Sequence, residues 1–128
     1  MIGKTIVVGL LSIFFLFASS IKVLGWQKTI FETQHAMFIK YGLNRQIMVL
    51  TGLVELFGAI TILFQQSWLG TLGALALFAT SAGAVFCHLY FDTWRDGLPA
   101  MITGLLSVLI IWTNREPLLA ALGFSGLF

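Results

Sequence analysis

Hydrophobic and polar positions divide the chain into four long apolar runs separated by short mixed stretches. The first run covers residues 6–24 and stays apolar to Gly25, long enough to cross a hydrocarbon core of about 30 Å. Its start has the outline of a signal peptide, with Lys4 ahead of an apolar stretch and Ala18, Ser19 and Ser20 as small residues after it. The apolar character continues past those serines, so a retained span over about residues 4–25 is expected instead. Residues 26–46 then interleave Lys28, Glu32, His35, Lys40 and Arg45 with Ile30, Phe31, Met37 and Phe38. Such mixing predicts a partly helical segment lying at the membrane surface. Gly42, Leu43 and Asn44 break it.

The second run, residues 48–64, carries one carboxylate, Glu55, in its middle. Thr51, Gly52, Gly58 and Ala59 flank it at helical spacing, which makes one face small and slightly polar. That face must look at protein, because an ionisable group at membrane depth costs roughly 2.5–3.5 kcal/mol even on the lenient insertion scale. A span over about 47–64 is expected, and Gln65-Gln66-Ser67 allows only an antiparallel neighbour after it. The third span, 68–91, repeats Gly70, Gly73, Ala74, Leu77, Ser81 and Ala84 at three and four and closes on His88. The stripe predicts close helix packing. After the polar turn 93–97, the fourth span, 98–113, has Pro99 near its start, where proline does least harm, and Ala100, Thr103, Gly104 and Ser107 as its small face. Arg115-Glu116-Pro117 is expected to stop it, and 118–128 is an apolar tail too short to cross. The pattern predicts an all-α protein, a transmembrane four-helix up-down bundle forming a single integral membrane domain over 1–128.

Composition agrees with this reading. With 59% hydrophobic residues, 9% charged residues and a mean hydropathy of +0.98, the chain has the lipid bilayer as its first partner. No residues remain for a soluble catalytic domain, so the chain is not expected to be an enzyme by itself. The net charge of +2 comes from residues at span ends and gives no reason to invoke nucleic acid. Cys87 is the sole cysteine, which excludes an intrachain disulfide and a dithiol redox pair. Lys28, Lys40, Arg45 and Arg95 on the side of the first and third connections, against Lys4 and Arg115 on the other, favour those two connections as cytoplasmic.

In an up-down bundle Lys22 lies near the end of the first span, Glu55 about 12 Å into the second from the same side, and His88 about 5 Å inside the third. Lys22, Glu55 and His88 are therefore expected to converge between helices, with Ser19 beside Lys22 and with Asp92, four residues beyond His88, as a partner of the imidazole. The bland reading is a structural ion pair and a hydrogen-bonded helix end. The sharper one is a binding site for a small polar-headed or ring-shaped hydrophobic ligand. One carboxylate and one imidazole make a poor metal site, and Cys87 points about 100° away from His88 on a helix, so no metal is expected.

The order Ser19-Ser20-Ile21-Lys22-Val23-Leu24, then Phe38-Ile39-Lys40-Tyr41-Gly42-Leu43, then Gly52-Leu53-Val54-Glu55-Leu56-Phe57-Gly58-Ala59, with a third span closing on His88, resembles the DoxX-like family of small four-span membrane proteins. Asn44 departs from that pattern, which usually carries proline after the Gly-Leu pair. The resemblance implies a four-helix membrane bundle, and the expected location is a bacterial cytoplasmic membrane. For some relatives it implies a membrane subunit of a quinone-linked sulfur oxidoreductase or of an oxidative-stress complex, and for others a chaperone of channel assembly. The leading expectation is an accessory subunit of an oxidoreductase system, working as a homo-oligomer or hetero-complex and binding a quinone-like or lipidic molecule. An assembly factor acting through small-residue helix faces and a small proton-coupled transporter are the alternatives.

Overall fold

The computed structural model describes residues 2–65 and 67–123. Its helices are α1 (Ile2–Leu24), α2 (Lys28–Lys40), α3 (Arg45–Thr61), α4 (Trp68–Phe91), α5 (Leu98–Thr113) and α6 (Arg115–Leu122), and the described residues contain no strand. Helices α1, α3, α4 and α5 form a four-helix up-down bundle in which neighbours run antiparallel. Lys22 lies beside Gly52 while Ser12 donates a 2.8 Å hydrogen bond to the Ala59 carbonyl, and Ser81 meets Thr103 while Thr71 meets Asn114.

Local chemistry sets the ends of these elements. Gln27 accepts from the Ile30 amide at 2.8 Å and Asn44 from the Ile47 amide at 2.9 Å, each as the N-cap of the helix that follows. Gly25 and Gly42, with φ of +68° and +80°, bracket α2 and supply the left-handed turns that swing it across the bundle end, so that it stands at 116° to α3. α2 buries no residue fully, as a surface helix should. α3 ends at Thr61, earlier than the apolar run suggests, because the amides of Leu63 and Phe64 close tight turns onto the carbonyls of Ile60 and Thr61.

The fourth helix differs from expectation at its end. α5 stops at Thr113, and α6 begins at Arg115 with a bend of 60° and packs against α4. Pro117 therefore does not stop a helix but sits in the first turn of one, where its missing amide costs nothing. The rest of the apolar tail, residues 124–128, lies outside the described residues.

α1 and α4 are each long and apolar enough to cross a membrane, whereas α2 with α3 and α5 with α6 qualify only as bent pairs. The outward surface is apolar: Leu10 is 61% exposed and Leu105 72%. Such a surface suits a lipid solvent.

One half of the bundle is filled. Val8, Leu11 and Phe15 of α1 pack with Ala59, Ile62, Ala74, Leu77 and Ile110. α3 and α4 touch backbone to backbone there, since a Cβ on Gly58 would lie 2.7 Å from Leu77 Cδ2 and one on Gly73 only 2.6 Å from the Ile62 nitrogen. Much of the small-residue stripe is thus consumed inside the chain. Asn114, 2% exposed, closes this end: Lys4 donates to its Oδ1, its Nδ2 donates to Gln65 Oε1 at 2.7 Å, and Thr71 donates to its carbonyl.

Candidate functional site beneath α2

The other half of the bundle is hollow. A cavity of about 880 Å³ opens between α1, α3, α4 and α5 with α2 as its roof, and Lys22, Glu55, Tyr41, His88 and Asp92 all lie on its wall. Apolar and aromatic groups such as Phe14, Phe38 and Leu50 make up much of the remainder.

Lys22 is in the last turn of α1, and its side chain turns inward instead of snorkelling out. Gly52 permits this, because α3 comes so close that a Cβ there would lie 2.9 Å from Lys22 Cβ. The ammonium reaches Glu55 Oε1 at 3.0 Å, with the two side chains 11% and 8% exposed. Oε1 is buried and has no other partner among the described residues, so the ammonium is what meets it. The contact is an ion pair that leaves acceptor capacity on the carboxylate. Arg45 secures the same junction by donating to the carbonyls of Lys22 and Val23, the latter at 2.9 Å, while its guanidinium stacks over Phe31 at 4.8 Å. A cation at a helix C-terminus satisfies orphan carbonyls and the dipole together.

At the neighbouring corner Tyr41, His88 and Asp92 form a cluster. The Tyr41 hydroxyl donates to Asp92 Oδ2 at 2.6 Å and lies 3.1 Å from His88 Nδ1, which is itself 3.3 Å from Asp92 Oδ2. Lys40 pairs with the second carboxylate oxygen. These partners, Lys40 first and Tyr41 next, hold the Asp92 carboxyl below its ordinary range. Burial, and then the hydrogen bond to Asp92, push the Tyr41 phenol far above its ordinary value of 10.0, so it stays a donor. Asp92 therefore fastens α2 onto the end of α4 as well as bonding the imidazole.

Of the residues singled out in the sequence, Lys22 and Glu55 pair directly, His88 and Asp92 bond each other, and both groups share one cavity. Ser19 is buried, but its hydroxyl donates to the Leu16 carbonyl at 3.1 Å and it does not line the cavity. Cys87 does line it, although it is offset from His88 on the helix, because the cavity wraps around α4 from Ala79 to His88. Ligand atoms of His88, Asp92 and Asp96 lie within 4.8 Å of one another. Tyr41 and Lys40 already engage both oxygens of Asp92, so the group is an ion-pair and hydrogen-bond cluster and not an open ligand set. Sequence reasoning missed Tyr41, Gln34 and Arg45. A hydroxyl-bearing aromatic just before the Gly42 turn is a signal for the first; the other two needed the position of α2.

The model of the DoxX-like family matches residues 6–114. The chain belongs to the DoxX-like family. Comparisons with curated proteins and with solved structures gave no match. The matched region contains every side chain of the cavity wall and ends at Asn114, before α6. Family and apolar helices together make this DoxX-like chain an integral membrane protein in contact with lipid.

Proposed function

We propose that this DoxX-like protein is a four-span, multi-pass subunit of a bacterial cytoplasmic membrane that holds a quinone-like or lipidic molecule in the cavity beneath α2. Lys22 and His88 donate hydrogen bonds to the oxygen of its head, Glu55 orients Lys22 or accepts a proton, and Asp92 holds the imidazole. The observation that carries this reading is that a buried ion pair and an imidazole cluster open onto one cavity of about 880 Å³ whose wall is otherwise largely apolar. That combination suits a molecule with an apolar body and one polar end. The protein acts as an accessory subunit of an oxidoreductase system and not as an enzyme alone, in line with what the family resemblance implies for its quinone-linked relatives. The family includes other roles, so the ligand is the point to test.

Native mass spectrometry of the protein purified in mild detergent should show a retained small molecule and the subunit number. Glu55→Gln and His88→Ala should each weaken binding of an added short-tailed quinone. An unchanged binding isotherm in both variants, with both folded, would sink the proposal.

A further inference from the structure

The seam between α3 and α4 is shut in one half of the bundle and parted in the other. Where it is shut, a Cβ on Gly58 would lie 2.7 Å from Leu77 Cδ2 and one on Gly73 2.6 Å from the Ile62 nitrogen. Nearer the start of α3 the same face carries Thr51 and Val54, and the facing side of α4 carries Thr80, Ala84 and Cys87; all five line the cavity instead of each other. Leu50 and Gly83 line it from the outer edges of the two helices. Yet Leu50 is 55% exposed, Gly83 is exposed as well, and a Cβ added to Gly83 would meet nothing within 4 Å. The cavity therefore reaches the lipid-facing surface here. Thr51 and Thr80 give their hydroxyl protons to the carbonyls of Ile47 and Leu77 on their own helices, at 2.9 and 3.0 Å, so neither bridges the gap nor meets lipid with an unspent donor. The other sides of the cavity are better closed. Lys40 and Tyr41 hold α2 to Asp92, Arg45 stacks on Phe31 at its other end, and the α1 wall carries the rings of Phe14 and Phe15, packed edge to face at 5.2 Å.

Resting on the proposed binding role, we infer that the opening between α3 and α4 is a lateral portal, and that the molecule bound in the cavity is an amphiphile whose hydrocarbon tail passes through it into the bilayer. The polar groups stand directly behind the portal: Glu55 follows Val54 and His88 follows Cys87, each turned about 100° from its neighbour and buried. A head held there leaves its tail pointing outward between Leu50 and Gly83. A tail that stays among acyl chains keeps its apolar surface out of water at every stage of entry. A compact molecule without a tail needs no such gap. The shared chemistry fits a tailed quinone and equally a single-chain lipid.

The test uses the full chain in nanodiscs and three probes: a decyl benzoquinone and a monoacylglycerol, each with a diazirine midway along its tail, and the same benzoquinone with a methyl group in place of the tail. Light should attach the tailed probes to portal residues, Leu50, Val54 and Gly83 among them. Gly83→Leu has open space for its side chain and should fold, while filling the portal. It should weaken the decyl probe about tenfold or more and leave the methyl probe within about twofold. Portal labelling by the monoacylglycerol, with no binding of either quinone, would support the portal and move the source of the tail to lipid. Labelling confined to Phe14 and Pro99, or to the underside of α2, overturns the portal while the cavity keeps its binding role. Equal weakening of the decyl and methyl probes by Gly83→Leu, or of neither, overturns it as well. Should that variant not fold, the labelling of the natural protein decides alone. Absence of binding by all three probes overturns the inference together with the proposed function.

Discussion

The two halves of the bundle are built from the same helices but solve opposite problems. Towards the start of α1 the interior is closed by Leu11, Ile62, Leu77 and Ile110, by glycine contacts that bring backbones together, and by Asn114. Towards the end of α1 the helices part, the interior holds Lys22, Glu55 and His88, and α2 lies across the opening. A small membrane protein has little apolar driving force between its helices, since lipid is as apolar as leucine, so close packing and polar contacts must hold it together. The filled half supplies this and lets the hollow half keep groups that stability alone would not select.

The largest expected effect breaks the hollow half. Removing either partner of the Lys22–Glu55 pair strands a buried charge and should cost about 3–5 kcal/mol, whereas Lys22→Met combined with Glu55→Leu should recover most of that loss. Thermal melts of the two single variants and the double variant in one detergent measure it. If the pair serves a ligand, the double variant stays inactive in the cell despite its recovered stability. Recovery of function along with stability would show the pair to be structural only.

Next comes the filled half. Leu77 is fully buried against Gly58 and the α1 side chains, so Leu77→Ala should lose about 2 kcal/mol or more through the cavity it leaves. Val54 lines the hollow half, and Val54→Ala should cost clearly less, because the space beside it is already open. Equal losses in denaturant titrations of the two variants would mean that the halves are packed alike.

Glycine sharpens the contrast at smaller magnitude. A Cβ on Gly73 meets the Ile62 backbone at 2.6 Å, while a Cβ on Gly83, on the cavity side of the same helix, meets nothing within 4 Å. Gly73→Ala should therefore destabilise by about 1–3 kcal/mol through overpacking. Gly83→Ala should be neutral or stabilise by up to about 1 kcal/mol through helix propensity. Melting temperatures that fall by the same amount in both would remove the distinction.

The features legible in the sequence are those fixed by periodicity. Apolar runs mark α1, α3, α4 and α5, and an up-down order follows from the short connections, so Lys22, Glu55 and His88 had to share one end. The stripe through Gly70 and Gly73 announces a close contact but not its partner, which proved to be α3 of the same chain. What could not be read is whatever depends on where α2 lies. Its polarity marks it as a surface element, yet only its angle to α3 brings Tyr41 onto His88, Lys40 onto Asp92 and Gln34 over the cavity. Ser19 shows the converse: its spacing from Lys22 was right and its hydroxyl still bonded its own helix, an outlet open to any helical serine.

The smallest expected effect concerns the latch between α2 and the rest. Asp92 is held to Lys40 and Tyr41, and these partners keep its carboxyl below the ordinary aspartate value of 3.8. A carboxyl whose folded value is depressed contributes stability above the unfolded value and loses it as pH falls through the folded one. The contribution of Asp92 to the docking of α2 is therefore fully present at neutral pH and should fade only below about pH 3.8. Hydrogen exchange of the α2 amides, compared between pH 5 and pH 3 with the intrinsic rate divided out, should show protection falling at the lower pH. Asp92→Asn should show reduced protection at both values and no fall between them, because its amide neither titrates nor pairs with Lys40. A fall of the same size in Asp92→Asn would place the pH response in another group and leave α2 held by its apolar contacts alone.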